Sequence, residues 1–202
     1  MPRALHPAAE HLTKADRAFY AQDAARLAKA LIGTIVVHRF RGRTYRARII
    51  ETEAYLGPAD LASHSSKGRT KRTEVMFGSP GRAYVYFIYG MHEMFNIVCG
   101  REGEAHAVLI RAAEPLDGWE ANLTGPGRFA RAMRIPLAYN GLDLTGDRLF
   151  LLRDPTAKRP RVARSARVGV DYALHWKDAP LRFFDTRSAA VSKLRAAPAA
   201  AG

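Results

Sequence analysis

The chain has 202 residues, enough for one domain with a sizeable core, and its 48% hydrophobic and 25% charged content is that of an ordinary globular protein. Its 32 Lys and Arg outnumber 19 Asp and Glu, giving a net charge of +13 and a pI near 10.4, which points to a polyanionic partner, nucleic acid above all. A membrane partner is excluded as an expectation, because the chain has neither an apolar run of about 18 residues nor a long basic amphipathic helix.

The N-terminal stretch MPRALHPAAEHLTKADRAF lacks the apolar core of a signal peptide, so a cytoplasmic protein is expected. Residues 1–15 carry no clear pattern and read as a frayed, disordered terminus. In QDAARLAKALIG the residues Ala24, Leu27, Ala28 and Leu31 recur at helical spacing. Asp23 can cap the start and Gly33 can end it, which predicts a helix over about 23–32. TIVVHRF and RTYRARIIETEAY predict two strands joined at Arg41-Gly42. Alternation in the second places Tyr45, Ala47, Ile49, Glu51, Glu53 and Tyr55 on one face.

GPADLASHSSKGRTKR reads as a polar loop and EVMFGSPG as a short turn or helix. RAYVYFIYG, MFNIVCG and HAVLIRAAEP read as three further strands, and Cys99, the single cysteine, rules out an intrachain disulfide. TGPGRFARAMRI reads as a helix with Pro126 in its first turn and Ile135-Pro136 at its end. GDRLFLL is another strand, and RDPTAKRPRVARSARVGV a basic loop leading into a strand. The end, RSAAVSKLRAAPAAAG, is low in complexity. The fold class is therefore α+β: a single domain over 16–186 with a curved, mostly antiparallel sheet and peripheral helices, followed by a disordered tail over 187–202.

Several residues are out of place for a plain core. Glu51 and Glu53 put two acids on a strand face that is otherwise apolar, where a carboxylate must be paired or functional. Glu51 reads as structural, at an exposed strand end or paired with an arginine. Glu53, beside Tyr55 and ahead of a loop, could orient and deprotonate a water. Arg111, inside the apolar strand LIRAAEP, needs a carboxylate partner, and Glu51 or Glu53 is the simplest one. Asn96 in MFNIV must hydrogen-bond, structurally or to a ligand. The tyrosines of YVYFIYG serve either as core residues or for base stacking. Met91 is either ordinary packing or an apolar wedge. His64 is a lone loop histidine. SSKGRTKR holds four cations, and residues 153–167 hold six cations and one acid. Either stretch is a solvated surface or a set of phosphate contacts. The seven histidines are scattered and show no metal-ligand spacing, so no metal and no cofactor is expected.

Five blocks together carry more than any one motif. RIIETEAYLGPADLASHS, MFGSPGRAYVYFIYGMHEMFNIV, AVLIRAAEPLDG, LTGPGRFARAM and ARVGVDYALHWKDAPLRFF resemble the alkyladenine (3-methyladenine, methylpurine) DNA glycosylases. The resemblance runs from about residue 17 to residue 184, in family order. It implies a monofunctional hydrolase, without metal or Schiff base, acting on double-stranded DNA as a monomer. Such an enzyme flips an alkylated or deaminated purine out of the duplex and starts base-excision repair. In a bacterium it would be associated with the nucleoid. On the matching positions the general base is Glu53, with Arg111 and the main chain around His64 holding the water. Tyr55, His64 and Tyr86 would wall the pocket, Asn96 would exclude the exocyclic amine of guanine, and Val170 would line the far side. Tyr89 would fill the gap in the duplex with Met91 wedged beside it. Lys67, Arg69, Lys71, Arg72, Arg128, Arg161 and Arg164 are the candidate contacts to the DNA backbone. His92, the loop 65–75 and the ending FFDTRSAAVSKL depart from the family pattern. A catalytically silent nucleic-acid binder on the same scaffold is the alternative, and a bifunctional lyase would need a nucleophilic amine in the pocket.

Overall fold

The computed structural model describes residues 11–192 other than Tyr89 and Met91. The chain enters through β1 (Thr13–Lys14) and a one-turn helix α1 (Arg17–Tyr20), whose N-cap Asp16 accepts from the Phe19 N–H. The stretch expected to fray is thus tied down at its end: β1 pairs with a later strand, and Ala15 is buried. Helix α2 (Ala24–Leu31) forms where its periodicity predicts it, with the Asp23 carboxylate accepting from the N–H groups of Ala25 and Arg26. Its buried stripe is Ala24, Leu27, Ala28 and Leu31.

β2 (Ile35–Phe40) and β3 (Arg43–Tyr55) form a hairpin closed by Arg41 and Gly42, both at positive φ. A two-residue turn of that kind matches the right-handed twist of the strands it joins. Three short 3-10 turns, Gly57–Ala59, His64–Lys67 and Glu74–Phe77, fill the polar loop that follows. Then come β4 (Ala83–Ile88), β5 (His92–Cys99), β6 (His106–Pro115) and helix α3 (Pro126–Ala132), with proline in its first turn. β7 (Leu149–Arg153), β8 (Val162–Ser165) and β9 (Arg182–Asp185) complete the chain. β8 lies inside the basic stretch that reads as a loop.

The nine strands of the described residues belong to one antiparallel sheet, in the order β1-β7-β2-β3-β6-β5-β4, with β9 pairing both β3 and β8. The α+β architecture with a curved, open sheet and few helices is therefore the observed one. The main core gathers α1, α2 and α3 on apolar side chains such as Leu27, Val36, Ile49, Phe95, Ile110 and Phe129. Among the described residues no helix is long and apolar enough to cross a membrane.

One sequence expectation is corrected. β3 does not alternate uniformly from Tyr45 to Tyr55. Its register against β6 runs Ile49↔Ala113, Glu51↔Ala112, Thr52↔Ile110, leaving Ile50 extra on β3 and Arg111 extra on β6. Such bulges re-aim side chains. Before the shift, Tyr45, Ala47 and Ile49 belong with the main core. After it, Thr52 and Ala54 take that side, Thr52 donating its hydroxyl to the Ala28 carbonyl of α2. Glu51, Glu53 and Tyr55 therefore face away from the main core. Of the tail expected over 187–202, Ser188 and Ser192 are hydrogen-bonded to the body of the fold, and residues 193–202, like residues 1–10, lie outside the described residues.

Candidate active site

The C-terminal end of β3 and the neighbouring parts of β6, β5 and β4 line a cavity of about 270 Å³, near the lower end of typical ligand pockets. Glu53, Tyr55, His64, Tyr86, Asn96, Arg111 and Val170, seven residues separated by up to 117 positions (170 − 53), all line it.

Glu53 has no surface open to bulk solvent. The Val168 backbone N–H donates to its Oε1 at 2.7 Å, and the Tyr55 hydroxyl donates to Oε2 at 3.0 Å. Arg111 Nη1 stands 3.3 Å from Oε1. Burial, then the charge of Glu53, hold the Tyr55 hydroxyl well above its ordinary pKa, so it stays a proton donor. Burial works against the Arg111 charge, but Glu53 and Glu51 outweigh it and raise the guanidinium further. Arg111 also reaches Glu51, with Nε to Oε1 at 2.8 Å. Both carboxylates that the sequence offers to Arg111 are therefore its partners, and Glu51 is buried rather than at an exposed strand end.

His64, Tyr84 and Tyr86 form an aromatic wall along the cavity. The His64 ring lies 4.5 Å from that of Tyr86 at 72°, and Tyr84 lies 5.4 Å from Tyr86. His64 Nδ1 shares a 2.9 Å hydrogen bond with the Tyr84 hydroxyl. Burial, then the cations Arg72 and Lys67, push the His64 pKa down to about 4, so its ring is neutral at physiological pH. Burial raises the Tyr86 hydroxyl as well. Asn96 Nδ2 donates to the carbonyls of Tyr84 and Met94, which fixes the amide and leaves Oδ1 without a hydrogen-bond partner among the described residues, in a residue that lines the cavity. Val170 packs with Ala62, Ala173 and Tyr55.

The predicted backbone contacts divide. Lys67, Arg69, Lys71 and Arg72 are exposed beside the His64 wall, and Arg72 lies 5.2 Å over the Tyr86 ring. Arg69 is engaged with Glu74, at 2.6 and 2.9 Å. Arg128 donates to the Thr124 carbonyl and lines a separate groove with Arg43, Arg131 and Arg134. Arg161 and Arg164 are exposed on the β8 side. Tyr89 and Met91 lie outside the described residues, between β4 and β5.

Sequence reasoning missed a buried pair behind Tyr55. Asp60 and Arg167 are joined by two bonds of 2.5 and 2.8 Å, and the Arg167 guanidinium lies 4.8 Å from the centre of the Tyr55 ring. Arg167 directly precedes Val168, whose N–H holds Glu53. The available signal was an acid and a base inside the blocks GPADLASHS and ARVGVDY.

The methylpurine-DNA glycosylase family model matches residues 18–189. A protein of Anaeromyxobacter dehalogenans strain 2CP-C is 49% identical over 181 residues, covering 89% of this chain and 87% of its own length. A protein of Legionella pneumophila strain Lens is 43% identical over 182 residues, 90% of this chain and 100% of its own. A third, from Desulfitobacterium hafniense strain Y51, is 42% identical over 189 residues, 83% of this chain and 93% of its own. All three carry the name "Putative 3-methyladenine DNA glycosylase". With its antiparallel sheet, its aromatic-walled cavity and a family match spanning nearly all of the described residues, the chain belongs to the methylpurine-DNA glycosylases.

Proposed function

We propose that the protein hydrolyses the N-glycosidic bond of alkylated or deaminated purines in duplex DNA, with a water activated by Glu53. The observation that carries this reading is one buried carboxylate at the floor of an aromatic slot, with Arg111 beside it. A base inside a duplex cannot reach such a floor, so the purine must be flipped into the slot. That step costs a few kcal/mol, least for damaged or mispaired bases. Tyr55, His64 and Tyr86, which all line the cavity, form the walls.

Alkylation at a ring nitrogen puts positive charge on the purine and makes it a good leaving group. The tyrosine faces favour such a cation, and the neutral state of His64 adds no repulsion. Glu53 then takes a proton from water, and its charge stabilises the oxocarbenium-like sugar that develops as the bond breaks. Among the described residues no lysine lines the cavity, which favours water over a Schiff-base nucleophile. The substrate set is 3-methyladenine, 7-methylguanine, hypoxanthine and ethenoadenine, with Asn96 disfavouring the exocyclic amine of guanine. The enzyme acts as a monomer on cytoplasmic DNA. The cations at Lys67, Arg69, Lys71, Arg72, Arg128, Arg161 and Arg164 bind the backbone, and Tyr89 with Met91 fills the vacated stack.

Glu53→Gln keeps the shape of the carboxylate and an acceptor for the Val168 N–H. Single-turnover release of 3-methyladenine from a defined duplex should fall by roughly 10²–10⁴-fold, while binding of the same duplex persists. Release near the wild-type rate would refute the base assignment.

A further inference from the structure

Glu51 lies two residues before Glu53 and does not line the cavity, yet its carboxylate takes four donors. It is fully buried. Its Oε1 accepts from Arg111 Nε at 2.8 Å, Arg182 Nε at 2.7 Å and the Ser192 hydroxyl at 2.7 Å. Its Oε2 accepts from the Ser192 backbone N–H at 2.8 Å. Arg182 Nη2 donates in turn to the Ser192 carbonyl at 2.7 Å. The charges thus run Arg182, Glu51, Arg111, Glu53, alternating in sign and summing to zero. Burial would raise the Glu51 pKa, but Ser192, Arg111 and Arg182 together lower it, so the carboxylate stays ionised.

The geometry around Arg111 depends on this arrangement. A guanidinium offers a planar fork that closes on a carboxylate with two parallel bonds. If Arg111 closed on Glu53 in that way, it would occupy the oxygens that must receive the proton of water. Glu51 holds the Nε edge of the fork instead, and only Nη1 approaches Glu53, at 3.3 Å. Stability is a poor reason for such a network, because buried ion pairs seldom outperform apolar side chains of the same volume. Ser192 lies in the last described segment of the chain. Its path is fixed by the Ser188 hydroxyl donating to Glu114 at 2.6 Å and by the Ala190 N–H donating to Ser188 Oγ at 3.1 Å.

We propose that Glu51 is a positioning residue that acts through Arg111, and that the C-terminal strap 188–192 completes the active site by closing Ser192 onto Glu51. This rests on the reading of Glu53 as the base.

The test uses the full chain and reads three quantities for each variant: single-turnover base release, affinity for the same lesion duplex, and melting temperature. Ser192→Pro removes both donors to Glu51. Release should fall about tenfold with duplex affinity within about twofold of wild type, since small misplacements in a site cost rate before binding. Ser192→Thr, which keeps the N–H and the hydroxyl, should rescue the rate. Glu51→Gln should lower release about a hundredfold, and adding it to Arg111→Lys should cost little more than Arg111→Lys alone. A Ser192→Pro enzyme as fast as wild type overturns the proposal. So do losses at 51 and 111 that multiply independently, or release and affinity that fall together with the melting temperature. If Glu51→Gln does not fold, the two Ser192 variants decide alone. Glu53→Gln in the same assay separates the two readings: if it is inactive while Ser192→Pro is fully active, only the strap proposal fails. If Glu53→Gln is active, the base assignment falls first.

Discussion

Asp60→Ala should be among the most damaging single substitutions outside the cavity, and its size follows from the contacts. Asp60 is wholly buried, and its carboxylate takes four donors: the N–H groups of Leu56 at 3.1 Å and Ala62 at 3.0 Å, and both terminal nitrogens of Arg167. Arg167 is 1% exposed, and among the described residues its only other bonds are to the carbonyls of Ala54 and Trp176. Its Nε already lacks a partner among the described residues, so the guanidinium has little left to fall back on. Removing the acid strands a buried cation, which costs about 3–5 kcal/mol. Total stability of a domain is about 5–15 kcal/mol, so this is a large share of it. At about 2–4 °C per kcal/mol for a chain of this size, melting should drop by roughly 10 °C. Urea unfolding followed by tryptophan fluorescence measures it, and the midpoint should fall while the slope is unchanged. The double variant Asp60→Leu/Arg167→Met replaces the pair with apolar volume and should recover most of the loss. A loss below about 1 kcal/mol for Asp60→Ala would refute the claim that Arg167 depends on this one carboxylate.

Three further outcomes are expected. The His64 pKa is lowered from 6.5 in the unfolded chain to about 4 in the fold, so the unfolded state takes up the proton first as pH falls and stability is lost between about pH 6.5 and 4. In His64→Gln that acid-side loss should shrink by roughly 1–2 kcal/mol, the full shift being discounted for the partial exposure of the ring. An unchanged pH dependence of the urea midpoint would contradict it. Asn96→Ala should raise release of 7-methylguanine relative to hypoxanthine in one duplex series, and an unaltered ratio would remove Asn96 from specificity. Lys71→Ala should flatten the log–log salt dependence of duplex binding by about one unit, with the same change on undamaged and damaged DNA, as a phosphate contact requires. A slope identical to wild type would show that Lys71 touches no phosphate.

Legibility in the sequence followed the range of the forces. α2 was legible because Asp23 caps it and its apolar residues recur at helical spacing, and the β2–β3 hairpin because Arg41-Gly42 can take positive φ. α3 announced itself through Pro126. β1, α1 and β9, of two to four residues each, are too short for any periodicity and exist because a partner strand or a cap fixes them. The same division runs through the site. The seven lining residues stand out as side chains of the wrong type for their surroundings or through the family blocks. The N–H of Val168 has no side-chain signature, and Ser192 sits in a stretch whose composition reads as a tail.

The deepest failure of local reading is the face on which the two acids lie, and it shows what the bulge does. Strict alternation carries Glu51 and Glu53 to the side of Ala47 and Ile49, against the apolar stripe of α2. Two carboxylates there would each cost several kcal/mol without partners. Ile50 is the extra residue that turns them away. The extra residue on β6 is Arg111 itself, so the partner strand supplies the cation at the step where β3 changes face. Neither insertion is visible in either strand read alone, because period two is the only signal a strand carries and a bulge is a break in it. Acid and arginine thus meet through a pair of matched irregularities. Deleting Ile50 should therefore do more than shorten a strand: it should return Glu51 and Glu53 to the apolar side and abolish both folding stability and base release. A deletion variant that melts like wild type and still releases 3-methyladenine would show that the register shift does not set the face of Glu53.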